Sequence, residues 1–158
     1  MSPTWEDPVK DRAMAARGPR PMVLLLSALL CLCLVQLAQG ASFRQFVNNH
    51  VNEPKTAAPN NNAYCNRLMQ QRGMTRPRCK LSNTFIHAPI NQIRAICTNG
   101  GRRFRRNLFD SHMSFSLTVC RLVNRRRGRS CVYTGRSQTR RIRVGCVNQL
   151  PVHFERIL

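Results

Sequence analysis

Acidic side chains are scarce in this chain. Its 158 residues include 6 Asp and Glu against 26 Lys and Arg, which gives a formal net charge of +20. Half of the acidic residues lie before residue 41, so the last 118 residues carry 22 bases and 3 acids. So many positive charges on a short chain repel one another and lower its stability. This favours a polyanionic partner, such as RNA, a heparan-type glycan or an anionic membrane. A basic surface that only keeps the protein soluble is the weaker alternative.

Lysine is also scarce. After residue 40 the chain contains only Lys55 and Lys80, and all its other basic residues are arginines. The flat guanidinium group is always charged and forms paired hydrogen bonds with phosphate oxygens better than an ammonium group does. The preference for arginine over lysine therefore indicates contacts with phosphate groups.

No apolar run has the length and flanks of a stable membrane span. The longest run extends from Met22 to Leu37, follows two arginines, and is closed by Ala38-Gln39-Gly40. This order is typical of a cleaved secretory signal peptide. We predict a leader and signal peptide at 1–40 and one domain at 41–158. The product would be extracellular, with storage in granules as an option.

Two points about the leader stay open. An uncleaved signal anchor is the less favoured alternative, because small residues close the apolar run. The part before that run is long and contains Glu6, Asp7 and Asp11, so translation could instead begin at Met14 or Met22.

Metal-binding cysteine spacings are absent after residue 40. No Cys-x-x-Cys pair or Cys/His zinc pattern occurs there, so we predict no metal and no cofactor. Cys31 and Cys33 would leave with the signal peptide. An even set remains, which is typical of disulfides in a small secreted protein. These six residues are Cys65, Cys79, Cys97, Cys120, Cys131 and Cys146. Spacing alone allows 15 pairings.

Hydrophobic periodicity predicts helices first and strands afterwards. The predicted helices cover 43–51, 63–72 (ended by Gly73) and 89–96. The predicted strands cover 81–87, 113–119, 131–134, 142–147 and 151–155, with Arg141 and Arg143 facing outward. His50 lies on the apolar face of the first helix. Without an internal repeat, this order indicates an α+β fold.

Three separated segments resemble one known family. Cys79-Lys80-Leu81-Ser82-Asn83-Thr84-Phe85 matches the Cys-Lys-x-x-Asn-Thr-Phe signature of the pancreatic-type ribonuclease superfamily at every fixed position. Phe46-x-x-x-His50 upstream and Pro151-Val152-His153-Phe154 downstream are similar to the surroundings of that family's two histidines. The resemblance covers about Phe43 to Phe154, and angiogenins and avian leukocyte ribonucleases are the most similar branch.

The resemblance implies a ribonuclease A-like fold with three short helices, a twisted antiparallel sheet and three disulfides. It also implies metal-independent cleavage of RNA 3′ of pyrimidines through a 2′,3′-cyclic phosphate. His50 would act as base, His153 as acid and Lys80 as the charge that stabilises the phosphorane. Histidine suits both proton transfers because its pKa lies near neutrality. The implied substrate-binding residues are Asn49, Asn83, Thr84, Phe154 and Glu155, and Thr84 would favour pyrimidines.

The resemblance also implies a disulfide pairing, and several positions differ from the family pattern. The implied pairs are Cys65–Cys120, Cys79–Cys131 and Cys97–Cys146, without the fourth bridge of many relatives. Asn49 replaces the usual glutamine and Glu155 the usual aspartate. Val119 stands where many relatives have an acidic or polar residue that tunes base choice. These differences predict that catalysis survives with low efficiency.

The arginine clusters allow several interpretations. One comprises Arg102, Arg103, Arg105 and Arg106, where angiogenins carry a cell-surface-binding segment, and a second covers 125–129. Each could bind RNA or glycans, or remain a solvated face. The nuclear-import triplet of angiogenins is reduced to Gln70-Gln71-Arg72. We interpret His87 as structural and His112 as exposed.

Two classes of function compete. The first is a secreted cationic endoribonuclease with an angiogenin-like or antimicrobial host-defence role. The alternative is a membrane- or glycan-binding effector with weak or vestigial catalysis. The complete set of His50, Lys80 and His153 favours the enzyme. Besides RNA, the candidate partners are heparan-type glycans, anionic bacterial membranes and a cytosolic ribonuclease inhibitor, and we expect a monomer.

Overall fold

A computed structural model describes residue 18, residues 20–125 and residues 130–158. The chain divides into two compact units, one up to Val35 and one from Gln36 to Leu158. The possible start at Met14 and most of the second arginine cluster (126–129) lie outside the described residues.

Helix α1 spans Pro21–His50, so it begins much earlier than the predicted helix at 43–51. Its part in the first unit is apolar, and its large side chains, such as Met22 and Leu30, are more than half exposed. Within the described ranges, no helix combines the length and the hydrophobicity needed to cross a membrane. The division at residue 40 stays a prediction.

In the described part of the chain, the second unit contains two further helices and seven strands. The helices are α2 (Asn61–Gln71) and α3 (Ile90–Ala95). The strands are β1 (Ser82–Ile86), β2 (Gly101–Arg105), β3 (Leu108–Ser111), β4 (Phe115–Arg125), β5 (Cys131–Arg140), β6 (Ile142–Val147) and β7 (Leu150–Ile157). They form two antiparallel sheets with the orders β1-β4-β5 and β2-β3-β6-β7. The α+β class is confirmed, and the strands are divided between two sheets.

Local sequence explains both ends of α2. The Asn60 side chain accepts a hydrogen bond from the backbone N–H of Ala63, which satisfies one of the free donors at the helix start. At the other end Gly73 has a φ of 74°, the left-handed conformation that glycine adopts without steric cost. The predicted stop at Gly73 is confirmed.

Several strand boundaries differ from the predictions. Met113 is half exposed and precedes β4, so the prediction that it belongs to this strand was wrong. Strand β5 continues to Arg140, because β4 supplies backbone partners along its polar second half. The arginine-rich strand β2 lacks apolar alternation, and it is a strand because it pairs with β3. Tertiary pairing overrides the local pattern at these places.

Two hydrophobic cores hold the second unit together. One packs Phe46 of α1 and Ile93 of α3 against residues of β4 and β6 such as Leu117 and Val144. The other packs α2 through Tyr64, Leu68 and Met69 against Phe85 of β1 and Tyr133 of β5. The Cys97–Cys146 disulfide lies in the first core and Cys65–Cys120 in the second, against which Cys131 of the Cys79–Cys131 disulfide also packs. These three pairs are the ones that the resemblance implies.

His87 is a structural residue just after β1. Its Nδ1 lies 2.8 Å from the carbonyl oxygen of Asn52, and its Nε2 lies 2.8 Å from Oγ1 of Thr118. Burial lowers the pKa of this imidazole. His112 is exposed, as predicted.

Gly135 allows α2 and β5 to approach each other closely. Its backbone N–H donates to Oδ1 of Asn62, and a Cβ atom at this position would lie 2.2 Å from the carbonyl oxygen of Asn61 and 2.8 Å from Sγ of Cys65. We expect Gly135→Ala to lower the free energy of unfolding by about 1–3 kcal/mol, measured by urea denaturation with the disulfides intact. The control Ser116→Ala, on the exposed face of β4, should change it by less than about 0.5 kcal/mol. Equal effects would contradict this account.

Candidate active site

The C-terminal end of α1 is fixed to the end of β1. Phe46 is buried in the core, and His50 follows it one helical turn later. Val51 forms a parallel bridge with Ile86, and the N–H of Asn52 donates to the Ile86 carbonyl at 3.1 Å. His50 is therefore the last residue of a helix that is anchored on both sides.

One ring nitrogen of His50 is hydrogen-bonded to the protein backbone. Its Nδ1 lies 2.9 Å from the carbonyl oxygen of Thr84, and because a carbonyl can only accept, Nδ1 carries the hydrogen. The rings of Phe46 and Phe154 pack against the imidazole, with centroids 5.3 and 5.2 Å from its own. In the neutral ring, Nε2 then has the free electron pair.

The surroundings of His50 favour its neutral form. Burial lowers its pKa from 6.5 to about 4, and the positive charges of Lys80 and His153 act in the same direction. The hydrogen bond to Thr84 opposes this shift but does not cancel it. At neutral pH His50 is therefore uncharged and can accept a proton.

Lys80 is held by a short chain of hydrogen bonds. Its ammonium group donates to Oδ1 of Asn83 at 2.9 Å, and the Asn83 amide donates to the carbonyl of Asn49 at 2.7 Å. The hydroxyl of Tyr133 donates to the Lys80 carbonyl at 2.8 Å, and the Cys79–Cys131 disulfide fixes the preceding residue. Burial lowers the pKa of Lys80. The lysine is thereby linked to the helix that carries His50.

His153 comes from β7, opposite Gly145 of β6. A Cβ atom at Gly145 would lie 3.2 Å from the Cβ of His153, so the glycine leaves room for the histidine to lie over the sheet. Nε2 of His153 lies 3.0 Å from a carboxylate oxygen of Glu155. The carboxylate accepts, so Nε2 carries a hydrogen and Nδ1 is the nitrogen left for a substrate.

One open cleft of about 470 Å³ brings all these groups together. Every catalytic or substrate-binding residue suggested by the resemblance lines it: Asn49, His50, Lys80, Asn83, Thr84, His153, Phe154 and Glu155. Gln45, Phe46, Ser82 and Val152 complete the lining. Among the described residues, no group of three or more His, Cys, Asp or Glu is arranged to hold a metal ion.

Arg72 supports the site, and its role was missed in the sequence. Its guanidinium donates to the carbonyl of Asn48 at 2.5 Å and to that of Val51 at 3.1 Å. It thus satisfies free carbonyls on both sides of His50 at the end of α1. No local pattern indicates this role, because the contacts join residues more than 20 positions apart.

The first arginine cluster lies elsewhere. Arg102, Arg103, Arg105 and Arg106 are exposed, on β2 and in the turn after it, and none of them lines the cleft. Arg143 alternates with the buried Ile142 and Val144, so it lies on the outward face of β6, as predicted. Its side chain is nevertheless largely covered there and forms a two-point ion pair with Asp110, at 2.5 and 2.9 Å.

Comparison with known proteins agrees with this geometry. Residues 41–155 match the family described as pancreatic ribonuclease. The ribonuclease of Chelonia mydas is 47% identical over 116 residues, which cover 73% of this chain and 98% of that protein. The chain belongs to the pancreatic ribonuclease family. The family membership that the resemblance suggested and the predicted endoribonuclease activity are confirmed.

Other members of the pancreatic ribonuclease family show the same relation. Angiogenin of Gallus gallus is 37% identical over 132 residues, which cover 82% of this chain and 91% of that protein. The crystal structure of green turtle egg white ribonuclease matches with a TM-score of 0.71 and 46% identity. That match covers 74% of this chain and 98% of the turtle chain. The chain thus spans nearly the full length of these relatives.

The charge of Lys80 contributes to the low pKa of His50. We expect Lys80→Gln to raise that pKa, because a nearby positive charge that disfavours the imidazolium is removed. Titration of the His50 ring proton by NMR measures the change. Lys55→Gln is a matched control, since it removes the only other lysine after residue 40 and Lys55 contacts Asn61 and Ser137 instead. An unchanged or lower pKa in Lys80→Gln would contradict the assignment.

Proposed function

We propose that this endoribonuclease is secreted and cleaves RNA 3′ of pyrimidines by transphosphorylation, with a 2′,3′-cyclic phosphate as the first product. The observation that carries the proposal is the presence of His50, Lys80 and His153 in one cleft. These groups supply a base, an acid and a positive charge, which are what the reaction needs.

His50 acts as the base in the first step. Its Nε2 takes the proton of the ribose 2′-hydroxyl while the oxygen attacks the adjacent phosphorus. Its lowered pKa keeps this nitrogen unprotonated at neutral pH. The bond from Nδ1 to Thr84 keeps the ring from turning and fixes which nitrogen faces the substrate.

His153 acts as the acid in the same step. When the imidazole is protonated, Nδ1 donates its proton to the departing 5′-oxygen, while Glu155 retains the hydrogen bond to Nε2. In a slower second step the roles reverse: His153 takes a proton from water, which attacks the cyclic phosphate. His50 then returns a proton to the 2′-oxygen and a 3′-phosphate is released.

Lys80 stabilises the charge that develops on the phosphorane. Asn83 holds the ammonium group before substrate arrives, so little reorganisation is needed in the transition state. The backbone of Asn49 is tied to the same amide. Asn49 thus sits where its own side chain can contact the phosphate, although that side chain is shorter than the usual glutamine.

Thr84 would set the preference for pyrimidines. It lies in the cleft, and its partner across the β1–β4 pair is Val119. Valine has no hydrogen-bonding side-chain group, so recognition of the base depends on Thr84. Phe154, stacked beside His50, supplies an apolar wall of the site.

Secretion is supported by the apolar segment that precedes the domain and by the three disulfides, which form in oxidising compartments. The excess of arginine favours a host-defence or angiogenin-like role, in which heparan-type glycans or anionic bacterial membranes bind the basic surface. The same excess supports the second candidate, a cationic effector whose action does not depend on cleavage.

Cleavage of a pyrimidine-containing RNA tests the enzyme directly. We expect the refolded protein from residue 41 onward to release a 2′,3′-cyclic phosphate, identified by mass spectrometry. His153→Ala should lower kcat/KM by about 10²- to 10⁴-fold, because the leaving oxygen loses its acid. His112→Ala, which removes an exposed histidine, is the control and should retain activity. If no version cleaves above background, the cationic-effector function is the one that remains.

The salt dependence of RNA binding tests the arginines. Each phosphate contact should contribute about 0.7 to the slope of log affinity against log salt for a single strand, so we expect a steep decline for the unmodified protein. Replacing both Arg102 and Arg105 with glutamine should reduce the slope, whereas Arg67→Gln on α2 serves as the control. A slope that is flat in the unmodified protein would show that these arginines do not contact phosphates.

A further inference from the structure

The first arginine cluster contains one aromatic residue in an unusual setting. Phe104 is about half exposed, and the guanidinium carbon of Arg143 lies 3.4 Å from the centre of its ring. The guanidinium of Arg105 lies 5.5 Å from the same centre. Phe104 is also the extra residue of a bulge in β2, where the register shifts between Arg103 and Arg105. Bulges redirect side chains, which accounts for an aromatic ring that turns to solvent on a strand.

The arginine behind this ring is fixed. Arg143 forms the two-point ion pair with Asp110, and its side chain is only 12% exposed. Arg102 lies directly opposite Asp110 in the neighbouring strand. A paired guanidinium loses little further freedom when it contacts a ring. Phe104 is therefore held in position from below while half of its surface remains in water.

The ring is on the same sheet as the catalytic histidine. Arg143 and Gly145 are two residues apart on β6, so they share one face, with their Cα atoms about 7 Å apart. His153 is opposite Gly145 and lies over it. The pKa of Arg143 is raised mainly by its hydrogen bond to Asp110 and, to a smaller extent, by the negative charge of Glu155, the hydrogen-bond partner of His153. The surface that leads from the cleft past His153 thus reaches Arg143 and Phe104.

We propose that Phe104 and Arg143 form a downstream stacking platform, which binds a nucleobase of the RNA on the 3′ side of the cleaved bond, beyond the cleft. This inference rests on the proposed function for its direction. His153 protonates the 5′-oxygen of the leaving strand, so whatever follows that oxygen leaves the cleft past His153. A base stacks on the exposed ring, and Arg102 and Arg105 contact the phosphates beside it.

Single-stranded RNA fits this surface better than a sulfated glycan does. A glycan would use the arginines but has no flat apolar face to place on an exposed phenyl ring. Every nucleobase has such a face, and the stacking of bases on aromatic side chains between basic residues is the usual way in which single strands are bound. The combination of a fixed ring and surrounding guanidinium groups therefore favours single-stranded RNA over a sulfated glycan.

Binding of two non-cleavable oligonucleotides tests the platform. Each carries one 2′-deoxyuridine, which lacks the attacking hydroxyl, and three purine ribonucleotides placed either 3′ or 5′ of it. Fluorescence anisotropy at fixed salt gives the affinities. We expect Phe104→Leu, which keeps an apolar side chain but removes the ring, to weaken binding of the 3′-extended probe about fivefold or more. The 5′-extended probe should bind as before.

Two further variants make the test specific. Met113→Ala removes an apolar side chain that is as exposed as Phe104 and should change neither affinity. Phe104→Trp offers a larger flat ring and should bind the 3′-extended probe more tightly than the unmodified protein, without a change for the 5′-extended probe. If Phe104→Leu folds poorly, an unchanged affinity of Phe104→Trp for the 3′-extended probe would overturn the platform.

The possible outcomes separate the two proposals. An equal loss for both probes, or no loss for either, would overturn the platform. A loss of binding to a heparin-like polysaccharide without loss on the 3′-extended probe would overturn it in favour of a glycan surface. Cleavage of a pyrimidine–purine dinucleotide by the unmodified protein is measured separately. Its failure would count against the proposed mechanism, while the binding comparison would still decide the platform.

Discussion

The hydrogen bond between His50 and the carbonyl of Thr84 is the contact on which the site depends most. It joins the last turn of α1 to β1, so that the helix delivers a histidine to the edge of a sheet. It assigns the ring hydrogen to Nδ1 and leaves Nε2 to the substrate. The ring that makes this bond is also partly buried against Phe46 and Phe154, and this burial, which outweighs the opposing effect of the bond, lowers the pKa of His50. The bond thus sets the position and tautomer of the ring, while burial sets its protonation state.

The positively charged ammonium group of Lys80 is held in position by an uncharged side chain. Lys80 is held by the Asn83 amide rather than by a carboxylate, so its charge is not neutralised before a phosphate binds. Desolvation adds to this, because a partly buried ammonium group lacks part of its water shell. The Cys79–Cys131 disulfide fixes the backbone next to the lysine. In the proposed reaction, a phosphate would therefore meet a positioned and poorly solvated cation, which is favourable for stabilising the transition state.

Much of the site could be predicted from sequence because its residues belong to short motifs. The segment from Cys79 to Phe85 contains the lysine, the amide and the threonine together, and the two histidines have recognisable neighbours. The contributions of Arg72, Arg143 and Gly145 could not be predicted in this way. Each acts across strands or between a helix and a loop, and no local pattern records such contacts. For the same reason β2 was not recognised as a strand: its arginines show no alternation, and only pairing with β3 makes it one.

The few acidic residues show how a strongly basic chain builds a specific surface. Only Glu53, Asp110 and Glu155 follow residue 40. Glu155 orients His153 and also acts on Arg143, and Asp110 holds Arg143 under Phe104. Two carboxylates thus arrange groups along one face of a sheet, from the histidine in the cleft to the exposed ring. A third carboxylate on this face would neutralise arginines that bind a polyanion. Removal of either existing carboxylate would leave His153 or Arg143 without the partner that holds it in position. The scarcity of acid in the sequence is therefore compatible with a well-ordered site, because each carboxylate on this sheet positions a group whose role depends on its position.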